Sequence, residues 1–348
     1  MQDSFYCRIL DSNYKGRKMK SKKKIITGII IGVVALALIF AGVYFFGRGY
    51  SFDIYDTGKA FRENVAAAGY ENTINAAYPM TDVYAIIEEH FKAELSEGKT
   101  EKKAIVIGYD GCRADILNER EDNGGISYLL DNGGSNNLLY CGGVNYPKIN
   151  TQDTSTAPGW CSIMTGVWAD THGIYENGVT KDLETKTLMT SFVEDGIIDN
   201  AAFITIWSGH FQNENSTYKA EKDYCEENGI DVDFELCETD SDSHLQAMNE
   251  ITGEDCADFL FVIYECTDSA GHGSGFSYNN PEYKSAFLKE DAYAYDVIKA
   301  IESRETYGTE DWLIIITSDH GGFGTGHGGA SVQERMTFVV MNKKWNKS

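Results

Sequence analysis

Three apolar stretches of this sequence run almost directly into an aspartate. AIVIGY (104–109) is followed by Asp110, FLFVIYECT (259–267) by Asp268, and WLIIITS (312–318) by Asp319. Histidines accompany two of them. His272 closes the run Asp-Ser-Ala-Gly-His that Asp268 opens, His320 follows Asp319 directly, and His327 ends the glycine-rich stretch GGFGTGH behind it. Imidazole with carboxylate is a ligand set for zinc or a similar transition metal. Three carboxylates gathered without a counter-charge repel one another, and a cation relieves this. Six candidate ligands, three of them histidines, exceed what one ion needs, so the expectation is two divalent ions. Taken singly, a strand-end aspartate reads as a helix cap or turn former, and a lone histidine reads as a packing residue. Their joint occurrence argues for metal. His90, His172, His210 and His244 have no such company and are expected to be structural.

The segment TSTAPGWCSIMTGVWADTHGI (154–174, with the threonine of interest at 156) offers a nucleophile. Trp160, Ile163, Met164 and Val167 fall at i, i+3, i+4 and i+7, one apolar face of a helix. Thr156 therefore stands near a helix N-terminus, where free N–H groups favour an anion. A threonine hydroxyl is a weak nucleophile that metal coordination can activate. Thr154 and Ser155 are the adjacent alternatives.

These residues need a frame. The short Ile- and Val-rich runs Ala104–Tyr109, Ala201–Trp207, Phe259–Tyr264, Trp312–Thr317 and Thr337–Met341 suit strands covered on both faces. Amphipathic helical patterns lie between them, including 284–304 and a helix around Val83–Leu95. The alternation predicts an α/β fold with a doubly wound, mostly parallel central sheet and helices on both faces. In such sheets ligands bind beyond the carboxyl ends of the strands, where the three aspartates would converge.

The 348 residues carry a net charge of −23. Residues 1–24 hold eight Lys/Arg against two Asp, leaving 22 basic and 51 acidic residues, a net −29, in the rest. So acidic a body argues against a nucleic-acid-binding surface. Residues 25–47 are uncharged and, as a helix, would extend about 35 Å against a bilayer core of about 30 Å. With the basic run before it, this segment reads as a transmembrane signal anchor. The expected organisation is a basic cytoplasmic tail (1–24), the anchor (25–47), a juxtamembrane helical segment (48–100) and a catalytic domain (101–348). That domain would lie outside the cytoplasm of a single-pass cell-membrane protein. Of eight cysteines, Cys225 and Cys237 lie in a polar stretch where they could pair, and Cys112, Cys161 and Cys266 are expected to be packed thiols.

The blocks YDGCRADIL (109–117), Thr156-Ala-Pro with its helix, Asp268-Ser-Ala-Gly-His272 and Ser318-Asp319-His320-Gly321 together resemble the nucleotide pyrophosphatase/phosphodiesterase family of the alkaline phosphatase superfamily, in that family's order. The resemblance implies an alkaline phosphatase-like fold and a phosphoric ester hydrolase with two ions, zinc first and manganese as the alternative. It implies that Asp110, Thr156, Asp319 and His320 hold one ion and that Asp268, His272 and His327 hold the other. Asn177, at the matching spacing, would bind a phosphate oxygen, and the reaction would pass through a phospho-threonine. Two departures bear on substrate. His327 follows His320 closely, unlike the nucleotide enzymes, and Ala157 replaces the phenylalanine that stacks a nucleobase there. The expected substrate is thus a small-molecule or lipid-headgroup phosphate ester, with diesters favoured. A membrane phosphoethanolamine-type transferase, a phosphomonoesterase and a non-catalytic surface binding protein are the rival readings. A sulfatase is disfavoured because position 156 is Thr and position 160, where sulfatases carry Arg, is Trp.

Overall fold

The structure is a computed structural model that describes residues 23–24, 26–40, 57–143, 151–178 and 183–345. The chain divides into two units, Met1–Ser51 and Phe52–Ser348. In the first, residues 26–40 form helix α1, whose side chains are exposed. Residue 25 and residues 41–47 of the expected anchor, and residues 1–22 of the basic tail, lie outside the described residues. Among the described residues no helix is long and apolar enough to cross a membrane.

The second unit is built on an eight-stranded sheet. Its strands are β1 (Tyr78–Pro79), β2 (Glu101–Tyr109), β3 (Ser135–Tyr140), β4 (Ala201–Thr205), β5 (Val232–Leu236), β6 (Phe259–Tyr264), β7 (Glu310–Thr317) and β8 (Met336–Met341). They lie in the order β1-β3-β8-β7-β2-β6-β4-β5. Every pairing is parallel except those of β8, which runs against both β3 and β7. The helices are α2 (Gly58–Ala67), α3 (Asp82–Lys92), α4 (Gly125–Asp131), α5 (Thr156–Thr165), α6 (Ala169–His172), α7 (Leu188–Glu194), α8 (Lys219–Asn228), α9 (Asp240–Thr252), α10 (Cys266–Ser274), α11 (Pro281–Glu302) and α12 (Val332–Arg335).

Side chains alternate across a strand, so a strand buried on both faces must be apolar at every position. β2 obeys this rule. Ala104 and Val106 join one core with Ile87 of α3, Trp160 of α5 and Phe192 of α7, whereas Ile105, Ile107 and Tyr109 join another with Ile126 of α4, Ile251 of α9 and Phe287 of α11. The doubly wound architecture is therefore observed. Residues 57–100 belong to this same unit: Val83, Ile86, Ile87 and Phe91 of α3 are buried in the first core, and β1 pairs with β3. All seven described cysteines are free, so Cys225 and Cys237 do not pair. Cys225 is instead buried, with its sulfur 3.4 Å from the Thr190 hydroxyl.

Candidate metal centre and nucleophile

Register brings the acidic residues together. Gly108 of β2 lies opposite Thr317 of β7, and Tyr109 lies opposite Tyr264 of β6. Continued one or two residues past the strand ends, that register puts Asp110 level with Asp319 on one side and Glu265 on the other. Asp268 comes three residues later, in the first turn of α10. Gly111, with φ +65°, turns the chain away from the sheet; a Cβ there would stand 2.6 Å from Asp268 Oδ1, so a side chain would collide with the carboxylate.

Helix α5, which carries Thr156, begins after Ser155, which is extended, and ends at Gly166 in the left-handed conformation that closes many helices. Pro158 in its first turn has no N–H to leave unsatisfied. The helix is buried throughout, and its N-terminus reaches the carboxylates. Thr156 Oγ1 lies 3.4 Å from Asp110 Oδ1, while the Trp160 indole N–H donates to Asp110 Oδ2 at 2.8 Å. Asn177 Oδ1 accepts from the Ala157 N–H at 2.8 Å, which places this asparagine beside Thr156.

The expected ligands form two groups. In one, His320 Nε2 stands 3.4 Å from Asp110 Oδ1 and 3.4 Å from Asp319 Oδ2. In the other, Asp268 faces His272 Nε2 at 3.4 Å and His327 Nε2 at 3.6 Å. His320 also comes within ligand reach of Asp268 and His327, so the groups adjoin. Each histidine turns its Nδ1 to a backbone carbonyl: His272 to Thr325 at 3.0 Å, His320 to Gly321 at 2.8 Å and His327 to Thr154 at 3.1 Å. A carbonyl only accepts, so each Nδ1 carries a proton and each Nε2 faces into the site, the orientation typical of metal-ligating histidine. The Nε2 atoms of His272 and His327 face each other at 3.1 Å, and Asp268 Oδ1, Asp319 Oδ2 and His320 Nε2 are buried without a hydrogen-bond partner. This nitrogen and oxygen donor set fits zinc.

The electrostatics agree. Burial pushes the Asp319 carboxyl well above the usual range, and the charge of Asp110 adds to it. Burial and then Asp110 raise Asp268 to about 6. His320 is driven to about 10: burial works against its charge, but Asp319 and Asp110 prevail. His327 falls to about 3, through burial and then the charge of His320. Of the three aspartates of the site, only Asp110 is held below its ordinary value. Burial opposes this, but the neighbouring His320, 3.4 Å away, and the Trp160 N–H outweigh it. The clustered carboxylates thus face little positive charge beyond His320, a deficit that divalent cations would fill.

The structure brings Asp110, Thr156, Asn177, Asp268, His272, Asp319, His320 and His327 together at this edge of the sheet. Three others were missed. Sequence periodicity marks Trp160 only as an apolar helix position and Thr154 only as an alternative hydroxyl, whereas the Trp160 N–H holds Asp110 and the Thr154 carbonyl orients His327. Glu265 is hidden in the sequence run that leads to Asp268, although β6 ends at Tyr264. Arg113, the cation of the YDGCRADIL block, is wholly buried. It makes paired hydrogen bonds of 2.9 and 2.7 Å to Asp115 and a further one to the Phe276 carbonyl, so it cannot reach a substrate.

Residues 104–327 match the family model described as type I phosphodiesterase / nucleotide pyrophosphatase. The bis(5'-adenosyl)-triphosphatase ENPP4 of Pongo abelii is 28% identical over 229 residues, which are 63% of this chain and 47% of that protein. The chain thus spans about half the length of this relative. Among solved structures, murine ectonucleotide pyrophosphatase / phosphodiesterase 5 is similar at 18% identity, over 63% of this chain and 57% of that one, with a TM-score of 0.45. The human counterpart is similar at 16% identity over the same shares, with a TM-score of 0.44. The matched span takes in Asp110, helix α5 and both candidate ligand groups, and the chain belongs to the type I phosphodiesterase / nucleotide pyrophosphatase family of the alkaline phosphatase superfamily.

Proposed function

We propose that the chain is a metal-dependent phosphodiesterase-type hydrolase that works through a phospho-threonine. The observation that carries this reading is the meeting of two N/O ligand groups beside a helix-terminal threonine, with Thr156 Oγ1 3.4 Å from Asp110 Oδ1. Asp110, Thr156, Asp319 and His320 would hold one ion and Asp268, His272 and His327 the other, zinc being the ion their chemistry fits best. When bound, such ions supply Lewis-acid activation of a hydroxyl and neutralise charge developing on phosphoryl oxygens.

The protein's own groups do the rest. Thr156 Oγ attacks phosphorus, and the bond to the leaving alkoxide breaks. Water then cleaves the phospho-threonine, releasing a phosphomonoester and restoring the hydroxyl. Asp110 Oδ1 is the acceptor beside the Thr156 hydroxyl proton. Asn177 spends its Oδ1 on the Ala157 N–H, so its amide NH2 is left to donate to a phosphoryl oxygen, with the Thr156 N–H as a second donor.

Diesters are favoured over monoesters because the second negative charge of a monoester needs a cation, and Arg113 is committed to Asp115. Position 157 is a buried alanine that cannot stack a nucleobase. ENPP4 is named for a diadenosine triphosphate substrate, which makes that compound one natural diester-type substrate to assay beside glycerophosphodiesters and lipid headgroups. We also place the enzyme at the cell membrane through residues 25–47, with its catalytic unit outside the cytoplasm, on the charge asymmetry of the flanking residues.

Thr156→Ala tests the chemistry. It is expected to lower turnover by about 10³-fold or more while close to two ions per chain stay bound, measured by elemental analysis. Unchanged turnover would remove Thr156 from the mechanism.

A further inference from the structure

Tyr175 is an aromatic residue at the site to which the chemistry above gives no task. Its side chain is 48% exposed, and among the described residues no ring contact or side-chain hydrogen bond engages it. A single exposed apolar residue is ordinary on a protein surface; the place of this one is not. The Tyr175 carbonyl accepts from the Asp153 N–H at 2.8 Å, and two residues further on Asn177 Oδ1 accepts from the Ala157 N–H at 2.8 Å. Residues 175–177 are thus fastened at both ends alongside 153–157, the segment that carries Thr156. Ile174, directly before them, is buried in the core that also holds Trp160. The backbone is held at these points, while the side chains of Tyr175 and Asn177 stay exposed.

In an in-line displacement the leaving oxygen stands opposite the attacking one, and the retained ester group lies to the side with the other phosphoryl oxygens. Asn177 is the donor assigned to one of those oxygens, so an aromatic ring two residues from it lies within reach of the retained group. Charge narrows what that group can be. Asp153 and Glu176 are both exposed beside Tyr175, and the Asp153 carboxyl is raised above its ordinary value by partial burial and then by the charge of Glu176. Neither 151–156 nor 173–178 contains a Lys or Arg. A further negative charge on the retained group would meet repulsion there, whereas a flat, uncharged group can stack on the phenol ring.

Building on the hydrolase reading above, we propose that Tyr175 is a specificity-determining residue that receives the retained ester group, and that this group is flat and bears no negative charge.

The test uses the zinc-loaded full chain and three diesters that share a p-nitrophenolate leaving group and retain phenyl, 4-carboxyphenyl or methyl. The common leaving group keeps the bond that breaks the same, and dividing variant by wild-type values removes the intrinsic reactivity of each ester. In Tyr175→Ala the phenyl-to-methyl ratio of kcat/KM is expected to fall about fivefold; Tyr175→Phe, which keeps the ring, is expected to retain it. Should Tyr175→Ala fail to fold, Tyr175→Leu, apolar but without a ring, is expected to show the same fall. The wild type is expected to cleave the 4-carboxyphenyl ester about threefold more slowly than the phenyl ester, and Glu176→Gln to narrow that gap. An unchanged phenyl-to-methyl ratio in the folded ring-less variant, or a 4-carboxyphenyl ester cleaved by the wild type as fast as the phenyl ester, would overturn the assignment. Failure of the wild type to cleave any of the three would overturn the hydrolase reading instead, so the two failures are distinguishable.

Discussion

At the scale of the residue, the site is governed by second partners. The Nδ1 atoms of His272, His320 and His327 are held by the carbonyls of Thr325, Gly321 and Thr154, which fixes each ring and aims each Nε2. Asp110 is held in the same way by the Trp160 indole. A hydrogen bond to a carboxylate contributes about 1.5–3 kcal/mol, and loss of such a partner behind a metal ligand costs about 10–100-fold in activity or metal affinity. Trp160→Phe, which keeps most of the ring and removes the N–H, is therefore expected to lower kcat/KM about 10–100-fold with little change in KM. Steady-state kinetics with parallel zinc analysis would check this, and wild-type rates would sink the role given to Trp160. The candidate ligands were legible in sequence because each Asp follows an apolar run and two of them have a His close behind. Trp160 and Glu265 were not, because their roles depend on helix phase and strand register, which bring together residues 50 apart in the one case and 155 apart in the other.

At the scale of the element, α5 is fastened to the segment that carries Asn177. Gln152 donates to the Pro158 carbonyl at 3.1 Å and to Ser162 Oγ at 2.9 Å, and its Oε1 accepts from the Ala169 N–H at 2.9 Å. His172 Nδ1 accepts from the Ile174 N–H, so Nε2 carries the proton and faces Ser162 Oγ at 3.1 Å. Burial holds this imidazole near pKa 4, hence neutral at working pH. His172→Ala removes one end of the brace and leaves Ser162 short of a donor. It is expected to cost about 1–3 kcal/mol of stability, read by urea denaturation, and to lower kcat more than it raises KM; a fall confined to stability would make His172 purely structural. The pH dependence of folding has a contributor on α11. Asp291 accepts from the Ile126 N–H at 2.8 Å, yet burial, only partly offset by this bond and the Tyr109 hydroxyl, raises it to about 6. An ordinary aspartate titrates near about 3.9, so the folded chain holds this proton more tightly than the unfolded one. Its contribution is full below about pH 4 and is lost as pH rises through about 6, a change of about 3 kcal/mol. In urea titrations from pH 4 to 8, Asp291→Asn is expected to flatten that component, and parallel curves for wild type and variant would contradict the assignment. The central strands were visible in sequence because both their faces are apolar. β3 begins Ser-Asn-Asn, β5 is an edge strand with exposed Asp233, and β1 pairs over only two residues, so none carries a continuous apolar run.

At the scale of the whole molecule, the three central strands β7, β2 and β6 deliver the ligands to one edge of the sheet, and the two cores on its faces hold those strands in register. That much followed from alternating strand and helix patterns. The antiparallel course of β8 did not, since a buried apolar strand reads the same in either direction. The incorporation of residues 57–100 was equally hidden, because their amphipathic helices announce an apolar face without naming its partner. The central claim is that this assembly cleaves phosphodiesters with metal ions and Thr156. It is tested most directly by comparing hydrolysis of bis-p-nitrophenyl phosphate and p-nitrophenyl phosphate by the zinc-loaded protein, with and without EDTA, and with Thr156→Ala alongside. The expected result is diester cleavage that dominates and is abolished by both EDTA and Thr156→Ala; dominant monoester cleavage, or diester cleavage that survives either treatment, would contradict it.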